Sequence, residues 1–260
     1  MRKRIEYLNI IDNKILNDEF FVLQLQSENS LPEILPGQFA QVKIKGSATT
    51  FLRRPISIYD VDYSNRSLFL LIKIVGEGSR KLSKLNPEEK LNLIYPLGNS
   101  FSKPESQEVM LIGGGTGVAP LLLLGKYLRQ QFNIIPKFIL GYRSAKYIIE
   151  IEKFEAQGKV FITTEDGSSG FKGYVIHHPV LNQENKEIDM IYSCGPEIMM
   201  REVAKYAERK NIQCEVSLEN LMGCGIGACL CCIVETSDKG NVNTCTNGPI
   251  FNSKQLKWQI

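Results

Sequence analysis

The stretch "LIGGGTGVAPLLLL", residues 111–124, sets Gly113, Gly114, Gly115, Thr116 and Gly117 between an apolar run and a leucine-rich one. "EVMLIGG" reads as a strand and "GVAPLLLLGKYLRQQ" has helical period, so the glycines make a strand-to-helix turn. Backbone with so few Cβ atoms can approach a pyrophosphate closely. The helix N-terminus beyond it offers unpaired N–H groups, and Pro120 suits that helix's first turn. The pattern is not GxGxxG, since Pro120 stands where the third glycine belongs, nor a P-loop, since no Lys-Ser/Thr follows. Taken alone, it also fits a tight turn with no ligand.

The same alternation continues downstream. "PKFILGYR" is a strand, "YIIEIEKFEAQ" a helix, "KVFITTED" a strand, "IDMIYSCG" a strand and "PEIMMREVAKYAERKN" a helix, with "IQCEVSL" closing the sheet as an edge strand. This order predicts a parallel sheet flanked by helices. "YSCGPEIMM" puts a second turn at a strand's C-terminal end, where ligands collect in open α/β sheets. Cys194, Gly195 and Pro196 there would form a flat wall for a planar ring, or simply start a helix. Two such turns in one sheet favour a dinucleotide bridging them.

Upstream the texture differs. "FFVLQLQ", "GQFAQVKI", "PISIYDV", "SLFLLIKIV" and "KLNLIYPLG" are short β-type runs spaced as in an antiparallel barrel or sandwich. Lys81 to Leu85 reads as one short helix ended by Asn86-Pro87, and "SKPESQ" as a linker. At the start of a strand, Arg54-Pro55-Ile56-Ser57 offers a guanidinium fork for phosphate oxygens and a hydroxyl for a ring edge. Gly78 and Ser79 in "VGEGSRKL" offer a second cradle at a loop-to-helix junction. Each is also an ordinary surface feature.

After residue 216 long periodic segments stop. "MGCGIGACLCC", residues 222–232, holds four of the seven cysteines. Cys224, Cys229, Cys232 and Cys245 are spaced C-x4-C-x2-C, then twelve residues, then C; the spacing of the first three matches the plant-type [2Fe–2S] pattern. Gly223, Gly225 and Gly227 are expected to supply positive-φ turns around a cluster. The alternatives are structural zinc, for which only Cys229 and Cys232 have the usual close spacing, and dithiol chemistry. Cys231 reads as a bystander and Cys214 as a small buried hydrophobe. "CIVETSDKGNVNTC" is a hairpin with its turn near Lys239-Gly240.

Composition frames these sites. The chain has 260 residues, 43% hydrophobic and 23% charged, enough for a sizeable core, and its net charge of +3 gives no support to nucleic-acid binding. The basic N-terminus is followed by no apolar segment of signal-peptide length, and "VAPLLLL" is far short of a membrane span. The expected location is cytoplasmic, where clustered cysteines serve metal or redox chemistry.

"RPIS", "GEGS", "IGGGTGVAP", "CGPEIMM" and "MGCGIGACLCC" followed by "GPIF", in this order, resemble the ferredoxin–NADP reductase superfamily. Within it the resemblance is strongest to iron–sulfur electron-transfer subunits of class 1B, NAD-dependent dihydroorotate dehydrogenases, and it runs over nearly the whole chain. It implies an FAD-binding antiparallel β-barrel at 1–102, a parallel α/β NAD-binding domain at 103–215 and a small [2Fe–2S] domain at 216–260. It further implies FAD contacts from Arg54, Pro55, Ile56 and Ser57, from Leu71, Ile72 and Lys73, and from Gly78 and Ser79, the last standing where threonine is common. NAD contacts follow at Gly113 to Gly117 and Cys194 to Pro196, and cluster ligands at Cys224, Cys229, Cys232 and Cys245. No residue is assigned a catalytic role. The implied partner is an FMN-containing catalytic subunit in a heterotetramer, with no nucleic acid and no membrane. Electrons would run from that FMN through the cluster and FAD to NAD+. Glu165 and Asp166 in "TTEDGS" favour NAD over NADP, while Arg143 argues the other way. Two rivals share these features: a flavin/[2Fe–2S] subunit of an NADP-dependent ferredoxin or hydrogenase complex, and a non-enzymatic zinc-stabilised binding module.

Overall fold

Strand alternation organises the N-terminal part of the computed structural model, which describes residues 3–46, 50–182 and 188–258. Its strands are β1 (Arg4–Ile15), β2 (Phe20–Gln26), β3 (Phe39–Val42), β4 (Arg54–Ser57), β5 (Asp60–Asp62), β6 (Ser67–Lys73) and β7 (Lys90–Leu97). They pair antiparallel in the order β4-β3-β7-β1-β2-β6-β5. Phe21, Leu23 and Leu25 of β2 and Leu68, Leu70 and Ile72 of β6 point into the sheet's own core. The intervening Phe20, Val22 and Leu71 point the other way, into a second core shared with the next domain. Both faces are therefore buried, which is why these strands read as unbroken apolar runs. Among the described residues no ladder joins the end strands β4 and β5, so the sheet is a curled half-barrel.

The short helix α1 runs Glu77–Leu82, earlier than the expected Lys81 to Leu85. Its start is fixed by Ser79, whose hydroxyl accepts from the N–H groups of Val75 at 2.9 Å and Gly76 at 3.2 Å. That local cap sets the start, and the helix has already ended at Leu82, before Asn86-Pro87.

The second half alternates β8 (Val109–Gly114), α2 (Ala119–Phe132), β9 (Lys137–Tyr142), α3 (Ile151–Glu155), β10 (Lys159–Thr164), β11 (Phe171–Lys172), β12 (Met190–Cys194), α4 (Glu197–Arg209) and β13 (Gln213–Ser217). The sheet order is β11-β10-β9-β8-β12-β13-β16, the last being Ile250–Asn252, and it is parallel as expected until that member. Leu111 faces α2, whereas Met110 and Ile112 face α4. Four consecutive leucines open α2 because the helix lies between two bodies. Leu121, Leu122 and Leu124 join the core shared with the sheet, and Leu123 joins that of the half-barrel.

Two expectations need correction here. The helix read over "YIIEIEKFEAQ" is cut to Ile151–Glu155, because Glu150 sits in the left-handed region at φ 42°. Its carboxylate is held by Lys14 at 2.9 Å, Lys153 at 2.9 Å and Tyr59 at 3.0 Å. Tertiary contacts override the helical period there. In addition, β13 is not an edge strand: β16 (Ile250–Asn252) pairs antiparallel beyond it.

The remaining segment holds β14 (Ile233–Thr236) and β15 (Gly240–Asn243), which form the expected hairpin, then the single turn α5 (Thr244–Asn247) and β16. Met222, Cys232 and Cys245 pack on Phe39 and Leu97 of the half-barrel. Among the described residues no helix is long and apolar enough to cross a membrane.

Candidate functional site

Two cavities and one loop adjoin one another in the molecule. The first cavity, of about 600 Å³, sits where the half-barrel meets the second sheet. Arg54, Pro55, Ile56, Ser57, Leu71, Ile72, Lys73, Gly78 and Ser79 all line it, and Thr116 and Ala119 reach it from the glycine turn. Strands β4 and β6 thus bring together two motifs that the sequence separates. Arg54 is held by its guanidinium, which donates to the carbonyls of Leu52 at 3.1 Å and Arg53 at 3.3 Å. Gly78 leaves room beside it: a Cβ there would lie 3.2 Å from Thr50 and 3.8 Å from Arg54 Nε. The size suits an organic cofactor of several hundred Å³.

The far wall of this cavity had no sequence signal. Ser217 to Met222 line it, because β13 delivers the chain there.

The second cavity, of about 590 Å³, opens over the C-terminal ends of the parallel strands. Gly114, Gly115 and Pro196 line it, and Lys73 borders both cavities. Gly113, Gly117, Cys194 and Gly195 line neither and form the packing behind it. Gly117 lies so close to the second turn that a Cβ would stand 2.3 Å from the Cys194 carbonyl oxygen. Cys194 is buried, its thiol pushed strongly up by burial, with Ser217 as hydrogen-bond partner. Arg143 and Glu165 line the cavity, but Asp166 is turned to Ser168, whose N–H and hydroxyl donate to it at 2.9 and 2.6 Å. Glu19, from the β1–β2 turn, reaches across to bond Arg143 and holds Lys73 at 3.1 Å. Tyr147 stacks under the Arg143 guanidinium at 4.5 Å. No sequence pattern announced Glu19, Tyr174 or His177 in this wall.

The cysteine loop curls as a thiolate site should. Gly225 and Gly227 take φ of 72° and 85°. Gly223 does not, which corrects the expectation for that residue: a Cβ there would press 3.2 Å from Cys229 Sγ, so the requirement is space. The third left-handed position is Leu230, at φ 55°. N–H groups of Ile226, Ala228 and Cys229 donate to Cys224 Sγ at 3.4, 3.3 and 3.4 Å. Those of Cys224, Gly227 and Cys245 donate to the sulfurs of Cys229, Cys245 and Cys232 at 3.4, 3.2 and 3.4 Å. Burial raises the Cys224 thiol, but the N–H groups of Ile226, Cys229 and Ala228 outweigh it and bring it down to about 6. Burial and the neighbouring Cys232 lift Cys245 to about 12.

Among the described residues no three His, Cys, Asp or Glu side chains close on a site for a metal ion. The four thiols stand instead as two pairs, Cys224 with Cys229 and Cys232 with Cys245. Four thiols under a canopy of N–H donors fit a [2Fe–2S] cluster, to which they would supply the sulfur ligands. All seven cysteines are free, and Cys231 is exposed.

A half-barrel docked on a parallel sheet, with cavities at the join and over the glycine turns, defines a reductase of the ferredoxin–NADP reductase class, here extended by a thiolate loop. Residues 111–205 match the oxidoreductase NAD-binding domain, and residues 219–257 the iron–sulfur cluster binding domain of dihydroorotate dehydrogenase B. The dihydroorotate dehydrogenase B (NAD(+)) electron transfer subunit of Bacillus pumilus is 34% identical, over 96% of this chain and 97% of its own. That of Clostridium acetobutylicum is 37% identical over 98% of both chains. The chain belongs to this family of electron-transfer subunits. A chain of the NADH-dependent reduced ferredoxin-NADP oxidoreductase, solved in connection with flavin-based electron bifurcation, superposes with TM-score 0.87 at 26% identity. It covers 97% of this chain and 90% of that one.

Proposed function

We propose that this chain is the redox relay of a dihydroorotate:NAD+ oxidoreductase, with FAD in the first cavity, NAD in the second and a [2Fe–2S] cluster on Cys224, Cys229, Cys232 and Cys245. One observation carries the reading: the three sites are contiguous. Lys73 borders both cavities, and the first cavity's far wall, Ser217 to Met222, runs directly into Cys224. A flavin supplies the chemistry such a line-up needs, since it exchanges hydride with a nicotinamide and single electrons with iron–sulfur.

The protein's own residues position and insulate. The Arg54 guanidinium and the Gly76 to Ser79 turn present donors to a pyrophosphate, and Pro55 to Ser57 with Leu71 and Ile72 form the ring's bed. Gly114, Gly115 and Pro196 line the nucleotide's approach. The buried Cys194–Gly117 contact fixes the spacing of the two turns behind it. Glu19 occupies Arg143, and Glu165 adds like charge against a 2′-phosphate, which favours NAD.

The relatives are named electron transfer subunits, so oxidation of dihydroorotate is assigned to a partner carrying FMN, two copies of each subunit forming the assembly. Leu221, Ile226 and Leu230 are 82%, 50% and 59% exposed around exposed Cys229, an apolar rim suited to a partner at the cluster. The likeness to the ferredoxin-NADP oxidoreductase chain supports a second reading, the same relay serving a ferredoxin partner. Anaerobic purification of the chain alone and with each candidate partner tests both. The expected preparation contains flavin, iron and acid-labile sulfide. Alone it reduces artificial acceptors with NADH, and it turns over dihydroorotate only with the FMN subunit. Dihydroorotate oxidation by the chain alone, or absence of labile sulfide, overturns the proposal.

A further inference from the structure

Strand β3 turns a polar side chain, as well as an aromatic one, toward the cysteine loop. Phe39 and Gln41 are two residues apart and share a face of the strand in its regular pairing with β4, while the register with β7 shifts between them. Phe39 packs with Met222, Cys232 and Cys245, which makes that face the loop's. Gln41 is fully buried, and among the described residues neither its Nε2 nor its Oε1 has a hydrogen-bond partner. Its side chain lies against the loop itself: a Cβ on Gly225 would stand 2.5 Å from Gln41 Cγ and 2.8 Å from its Nε2. Gly225 follows Cys224 directly, and Gln41 lies opposite Pro55 of β4 in the ladder. The amide therefore sits between the strand that lines the first cavity and the loop that presents the thiols. A buried amide with nothing to bond is costly, and evolution ordinarily fills such a site with an apolar residue. Gly225 is then needed twice, for its φ of 72° and for the space the amide occupies.

We propose that the Gln41 amide N–H, which bonds no cysteine sulfur in this structure, is a further donor to the iron–sulfur cluster, acting from the half-barrel beside Gly225 on a sulfide of the bound cluster and making the cluster easier to reduce. The inference rests on the cluster assignment above. Reduction adds negative charge to the sulfurs, so a donor aimed at them strengthens with reduction, as the loop's own N–H groups do. The loop's donors come with its fold, whereas Gln41 belongs to the flavin-side domain and ties the cluster's potential to the seating of one domain on the other.

The test is a redox titration of the cluster, read by electron paramagnetic resonance, in FAD- and cluster-loaded wild type, Gln41→Leu and Gln41→Glu. Gln41→Leu is expected to shift the reduction equilibrium about tenfold toward the oxidised form, about 59 mV for one electron. Gln41→Glu, which keeps the shape and replaces the donor with negative charge, shifts it at least as far. The cluster-free Gln41→Leu protein is expected to melt no lower than wild type, because the unpaired amide is gone. If Gln41→Leu does not fold, Gln41→Met carries the same expectation. Fully loaded variants whose reduction equilibrium stays within twofold of wild type overturn the inference and leave the relay intact. A wild-type preparation without labile sulfide overturns the relay instead.

Discussion

Gly117→Ala perturbs the contact on which the nucleotide site is built. The new methyl would lie 2.3 Å from the Cys194 carbonyl oxygen, 2.4 Å from its carbon and 2.4 Å from the Gly195 nitrogen. All three are backbone atoms and cannot rotate away. Restoring ordinary contact requires the two turns to part by about 1 Å. Overpacking of this kind costs about 1–3 kcal/mol, and a rigid backbone neighbour places it at the upper end. For a chain of this size, about 3 kcal/mol lowers the melting temperature by roughly 6–12 °C. A shift of about 1 Å in a positioned reactant costs about a hundredfold in rate, so kcat/KM for NADH should fall by that order. Gly115 in the same motif is the control. Its φ of 56° makes alanine unfavourable, but a Cβ there meets nothing within 4 Å. Gly115→Ala should therefore cost only the left-handed penalty, about 1–2 kcal/mol. Thermal melts and NADH-driven reduction of ferricyanide separate the two variants. A Gly117→Ala protein with wild-type melting and KM, or one less damaged than Gly115→Ala, would refute the reasoning.

Glu19→Gln releases Arg143 and removes one negative charge from the second cavity, which should raise the NADPH:NADH ratio of kcat/KM roughly fivefold. An unchanged ratio in steady-state assays would remove Glu19 from cofactor choice. For Glu150, burial raises the carboxyl pKa, but Lys153, Lys14 and Tyr59 together bring it below the ordinary value. A depressed folded pKa contributes stability above the unfolded value of about 4.3, lost as pH falls through the folded one. Glu150→Gln should thus melt lower than wild type at neutral pH, by about 1–3 kcal/mol, with the gap closing below about pH 4. A gap that is constant from pH 7 to pH 3 would count against the ion pairs.

Local signals served the fold well where a residue's surroundings are its own sequence neighbours. The glycine turn, Pro120 at the start of α2, the hairpin at Gly240 and the thiol spacing all fall in this group. What escaped depends on contacts between distant segments. The left-handed Glu150 is imposed partly by Lys14 and Tyr59, from the half-barrel, and no periodicity within 147–157 contains that information. Strand β16 has three residues, too few to show alternation, so β13 looked like an edge. Gly223 was read through the usual glycine property, φ, when its actual constraint is the Cys229 sulfur beside it. Glu19 and Gln41 belong to no motif of the sequence. Their significance comes from Arg143, 124 residues away, and from Gly225 across the domain boundary.

Because Ile250 to Asn252 zip onto Glu215 to Ser217, the cysteine-bearing segment leaves from one strand and returns to that same strand. Asn99 of the half-barrel bolts the return, donating to the carbonyls of Asn247 at 2.9 Å and Ile250 at 3.0 Å. A segment stapled at both roots cannot swing like a carrier on a tether. The thiol loop is thereby held at a fixed place beside the first cavity by the fold itself, not by a movable linker.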